Sequence, residues 1–93
     1  MLRYSAEALG DVERLHSRLI ERDAGVADRF LAHLRQTEQK IASRPLLYPR
    51  AQNAEDARKC LMRFGRSVYV IYDCIDGDDQ VIVRIWHGRE IRV

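Results

Sequence analysis

Two hydrophobic periods divide the chain. From Ala6 to about Arg22 the apolar residues fall at Leu9, Val12, Leu15, Leu19 and Ile20. Spacings of three and four place them along one stripe of an amphipathic helix. Ser5 precedes the stripe and is placed to cap it, because its hydroxyl can accept from the free amides of a first turn. Asp23 stands in the same way before a second stripe of Ala27, Phe30, Leu31, Leu34 and Ile41, which runs to about Ser43. Pro45 ends that helix, since the residue before a proline avoids helical angles. The break "DAG" is short, so the two helices are expected to form an antiparallel hairpin.

After the irregular "RPLLYPRAQNAEDA", read as a loop from its two prolines and polar tail, the period falls to two. "RKCLMRF", "SVYVIYDCI" and "QVIVRIWH" are rich in β-branched and aromatic residues, as strands are. Gly65-Arg66 and "DGDD" join them as hairpins, and "MLRYS" reads as a short first strand. The order β-α-α-β-β-β defines one α+β domain over residues 1–93. A short N-terminal strand and an antiparallel helix hairpin would pack on one face of a mostly antiparallel four-stranded sheet. The expected core is Leu9, Val12, Leu15, Leu19, Phe30, Leu31, Leu34, Val70, Tyr72, Val83 and Ile85.

Register follows from the turns. Phe64 opposite Ser67 sets Cys60 opposite Ile71. Ile75 opposite Gln80 sets Asp73 opposite Ile82 and Arg84 opposite Ile71. Cys60 and Cys74 then lie on different faces, a poor geometry for a disulfide. Asp73 and Arg84 become diagonal neighbours, an ion pair worth about 0.2–1 kcal/mol.

Composition narrows the chemistry. A net charge of +2 and a pI near 8.7 fall short of a polybasic protein, so any nucleic-acid role must come from local clustering. The two cysteines form no CxxC and the three histidines are scattered, so neither a zinc site nor a cofactor is expected. No secretory leader opens the chain, and no apolar run approaches the ~18 residues of a membrane span. A reduced, cytoplasmic protein without membrane association is the expectation.

The unusual stretch is the last, "VIVRIWHGREIRV". A strand ends in His87 and Gly88, with Arg84, Arg89 and Arg92 close by. Together with "SAEALGDVERL", "ADRFLAHL", "RPLLYP" and "RFGRSVYVIYDCI", this closing segment resembles the RelE/ParE superfamily of bacterial type II toxins. The resemblance covers nearly the whole chain, and "HGRE" favours the ParE-like branch. It implies a toxin silenced by a cognate antitoxin, in a hetero-oligomer of the two. ParE-like members inhibit DNA gyrase; RelE-like members cut messenger RNA on the ribosome; an inactive relative would only bind antitoxin.

Metal-free RNA cleavage needs a proton acceptor, a proton donor and cations on the phosphorane. Arg84, His87, Arg66 and Lys59 are the candidates for that chemistry. No tyrosine follows Tyr72 and no lysine follows Lys59, so the set is thin, although Trp86 could stack on a base. The gyrase reading is therefore favoured, with His87 closing a strand and Trp86 packing. Antitoxins of this superfamily usually bring a disordered, often acidic segment. Arg63, Arg66, Arg84, Arg89 and Arg92 would offer it charge-assisted hydrogen bonds, and the sheet edge beside the last strand would accept an added strand.

Overall fold

A computed structural model describes residues 1–44, 48–51 and 57–90. The order is β1 (Leu2–Tyr4), α1 (Ala6–Arg22), α2 (Ala24–Ser43), β2 (Arg58–Phe64), β3 (Ser67–Asp76) and β4 (Asp79–His87), with a closing 3-10 turn over Gly88–Glu90. Both caps form as the sequence implies. Ser5 Oγ accepts from the amide of Ala8 at 3.0 Å. Asp23 Oδ1 accepts from Gly25 and Val26 at 2.8 and 3.3 Å. Helix α2 ends at Ser43, directly before the Arg44–Pro45 step.

The sheet runs β1-β4-β3-β2, with β1 parallel to β4 and the two hairpins antiparallel. Gly65 and Gly77 take the positive φ that their turns require. Register holds at Phe64–Ser67, Cys60–Ile71, Ile75–Gln80 and Asp73–Ile82. It fails at one point. A bulge between Tyr72 and Asp73 sets Arg84 opposite Tyr72 rather than Ile71. The extra β4 residue, Val83, breaks the strict alternation on which the count depended.

The helix hairpin covers one face. Phe30, Ile41, Ile71, Ile82 and Ile85 are wholly buried there, and Phe30 meets the rings of Tyr69 and Phe64 at 4.9 and 5.6 Å. Val70 and Tyr72 point to the other face, where Ala51 and Ala57 cover them. Cys60 and Cys74 are not joined by a disulfide. One expected core residue is misplaced: Leu9 is 54% exposed. The buried stripe of α1 is Ala8, Asp11 and Leu15, one residue out of phase with the apolar pattern, because a carboxylate occupies an inward position. Val12, Leu19, Leu31 and Val83 flank the core half-buried.

Candidate functional site

The site begins with an edge problem. Strand β1 pairs with β4 only through residues 80–82. Beyond that, the backbone of β4 needs partners, since a buried amide left unpaired is costly. Helix α1 and the C-terminal turn supply them. Ser5 gives its amide to the Ile82 carbonyl at 2.9 Å and its hydroxyl to the Val83 carbonyl at 3.0 Å. Asp11 Oδ2 accepts from the Ile85 amide at 2.9 Å, and Glu90 Oε1 from the His87 amide at 2.8 Å.

The two carboxylates that close this edge gather the arginines. Arg84 Nε and Nη2 donate to Asp11 at 2.8 and 3.1 Å, and Arg14 adds a contact of 2.7 Å. Arg14 and Arg18 also hold Glu90, at 3.0 and 2.9 Å. Burial works to raise the Asp11 carboxyl, but hydrogen bonds from Arg84, Arg14 and the Ile85 amide outweigh it and hold the group below its ordinary 3.8. Glu90 is depressed by the same balance, burial against Arg14 and the His87 amide. The guanidinium of Arg84 also lies 4.9 Å over the Trp86 ring.

The expected Asp73–Arg84 pair does not form. The bulge turns Arg84 toward α1, where Asp11 takes it. Asp73, 1% exposed, has no hydrogen-bond partner among the described residues. Burial pushes its carboxyl up, with Arg58 working the other way.

The "HGRE" segment is a clasp. His87 Nδ1 accepts from the Arg89 amide at 3.0 Å, which leaves the proton on Nε2, 3.0 Å from Ser67 Oγ. The His87 ring also stands edge-on to Tyr69, 5.1 Å between centroids. Gly88 passes so close to β3 that a Cβ would lie 2.9 Å from the Val68 carbonyl oxygen. The edge expected to accept an added strand is thus closed: β4 lies inside the sheet, and side chains seal what β1 leaves.

Beside the clasp a cleft of about 910 Å³ opens between the C-terminal half of α1 and the start of β3. It brings together three of the residues singled out from the sequence, Arg66, His87 and Arg89, and adds Arg18 and Arg22 from the helix. The rest lie elsewhere. Lys59 and Arg84 both face Tyr72, three residues along β3 from the Tyr69 that faces His87, a separation of about 10 Å along the strand. Arg63 is exposed on the edge strand β2. Arg92 lies outside the described residues. The four residues proposed for RNA cleavage therefore do not share one site. Sequence reading missed Asp11 and Arg14. Their neighbour in that network, Glu90, lies at the other end of the described chain, 76 residues from Arg14.

No group of three or more metal-ligating side chains occurs among the described residues, and no described helix is long and apolar enough to cross a membrane.

A small α+β domain in which helix α1 and the C-terminal clasp border a basic cleft is the class of protein the geometry defines. The family model for the ParE toxin of type II toxin-antitoxin systems, parDE, matches residues 2–92, and the chain belongs to that family. A solved structure of the chromosomal ParDE toxin-antitoxin system from P. aeruginosa contains a chain with the same fold. Its TM-score is 0.65 at 12% identity, over 92% of each chain. No curated protein matches the sequence.

Proposed function

We propose that this member of the ParE family arrests growth by inhibiting DNA gyrase and is neutralised by a cognate antitoxin. The observation that favours inhibition over RNA cleavage is the internal commitment of two of the four candidate catalytic groups, Arg84 and His87. Arg84 is held by Asp11, and His87 uses both ring nitrogens within the clasp. A general acid or base must be able to face its substrate, whereas an inhibitor needs a rigid surface with anchoring side chains. Arg63, Arg66 and Arg89 remain as surface cations for the antitoxin, with Arg92 proposed beside them. Arg84 leaves that set because Asp11 engages it.

Induced expression, followed by separate measurements of DNA and protein synthesis, tests the reading. DNA synthesis should stop first, with DNA breaks and filamentation, and His87→Gln should keep part of the toxicity. An early arrest of translation with cut transcripts, abolished by His87→Gln in a folded protein, would put the ribonuclease in its place.

A further inference from the structure

We propose that Arg58 is a two-position latch on residues 48–51. It holds that segment against β2 while Asp73 is neutral, and it swings to Asp73 and releases the segment when the carboxyl ionises. The inference concerns the fold's own response to pH and does not depend on the toxin-antitoxin reading.

The first position is the one seen in the structure. Arg58 Nη1 donates to the Tyr48 carbonyl at 2.8 Å. Beside that bond, residues 48–51 lie along the outer edge of β2. The Lys59 amide donates to the Pro49 carbonyl at 2.9 Å and the Ala51 amide to the Ala57 carbonyl at 2.8 Å, and Arg50 bridges antiparallel to Arg58. Two main-chain bonds are a slender hold, each worth about 0.5–1.5 kcal/mol net. A third bond from a charged donor is a large share of the total. Release would uncover the Lys59 amide on the sheet edge and lift Ala51 from Val70 and Tyr72, which it covers.

The second position is Asp73, the register partner of Arg58 across β2 and β3. Its side chain is buried, and neither carboxyl oxygen has a hydrogen-bond partner among the described residues. An ionised carboxylate is costly in such a place, so the neutral acid is favoured there. The groups around it come from four elements. Strand β2 brings Arg58 and Cys60. The held segment brings Tyr48, whose hydroxyl bonds to Cys60. Burial first, with the Asp73 charge adding to it, keeps that thiol and that phenol above their ordinary values, so both are neutral. Helix α2 brings Lys40, whose charge is felt at Cys60. Strand β4 sets only Ile82 opposite Asp73. Arg58 is the charge that works against burial at Asp73. Held at Tyr48, its guanidinium makes no hydrogen bond to the carboxyl, so pairing the two requires it to move. The sign follows. The Asp73 carboxyl is raised in the latched fold and falls once Arg58 pairs with it. The latched state is therefore favoured at low pH and lost as pH rises through the latched value.

Hydrogen exchange of backbone amides in the whole protein, followed by NMR from mildly acid to mildly alkaline pH and corrected for intrinsic rates, reads the latch. Protection of Ala51 and Lys59 should fall about tenfold or more as pH rises, a factor of ten for each unit by which the Asp73 pKa differs between the two positions. The Ser5 amide, bonded to the Ile82 carbonyl at 2.9 Å, should keep its protection throughout. The side-chain carboxyl carbon of Asp73 should titrate with the same midpoint as the two amides. Asp73→Asn should keep both amides protected at every pH, and Arg58→Gln should leave them weakly protected at every pH. Wild-type protection that ignores pH, the same fall in Asp73→Asn, or a parallel loss at Ser5 would overturn the proposal. Should Arg58→Gln fail to fold, the wild-type and Asp73→Asn curves decide by themselves.

Discussion

Asp11 ties helix α1 to strand β4. It accepts from Arg84, Arg14 and the Ile85 amide while only 2% exposed. Asp11→Ala removes the acceptor and strands a buried amide beside two cations. Because Arg84 keeps some contact with water, the cost should be about 2–3 kcal/mol, below that of a fully buried pair; urea denaturation checks it. The pH dependence has a definite sign. Asp11 titrates below its ordinary 3.8 and Glu90 below 4.5. Their stabilisation is complete above those values and is lost as pH falls through the folded ones. Asp11→Ala should therefore flatten the acid limb of the stability curve. Asp73 behaves in the opposite way. Its folded value is raised, so its contribution is full below 3.8 and lost as pH rises through the folded value. Asp73→Asn should gain about 1 kcal/mol at neutral pH relative to the wild type, through relief of a buried charge, measured by paired denaturation curves at neutral and acid pH. A loss at neutral pH would show that the carboxylate is satisfied there.

At the scale of elements, the two ends of β4 are governed by different rules. Its hairpin with β3 follows turn chemistry and was legible in "DGDD". Its far end is finished by side chains from α1 and by the clasp, whose glycine has no room to become anything else. Gly88→Ala would drive a methyl into the Val68 carbonyl. It should cost about 1–3 kcal/mol by forcing β3 and the turn apart, visible as a lowered thermal midpoint with the helix signal intact. The helices are simpler. Asp23 caps α2 in the open, and Asp23→Ala should cost about 1 kcal/mol, read as a shifted urea midpoint with an unchanged slope. Caps, turns and helix lengths were legible because each depends on a few adjacent residues. The phase of α1 was not. Apolar counting put Leu9 inward and Asp11 outward, whereas the fold does the reverse, since Asp11 is needed by an amide 74 residues away.

Over the whole molecule the sheet carries two unequal cores. The larger one, under the helices, is centred on Phe30, and Phe30→Ala should cost about 3–5 kcal/mol. A change below 1 kcal/mol in a denaturant titration would contradict the packing seen here. The free arginines form the surface that remains for partners. If they hold an acidic antitoxin, Arg89→Ala should weaken the complex more at low salt than at high salt, because exposed charges are screened beyond a Debye length of about 8–10 Å. Titration of the complex at two salt concentrations would measure this, and a salt-independent loss would assign Arg89 a packing role instead.

The sequence by itself determined the order of elements, both helix caps, both hairpins, most of the register and the family resemblance. These rest on local propensity, short-range spacing and the period of burial. Only the tertiary structure decided which charges are free. The β4 bulge turned Arg84 from a predicted surface pair with Asp73 to a part-buried one with Asp11. The return of Glu90 to α1 consumed Arg14 and Arg18. The cleft then formed from Arg22, Arg66 and Arg89, residues from three separate elements. An ion pair forms wherever folding brings two charges within a few ångströms, and no local pattern encodes a meeting between residues more than seventy positions apart.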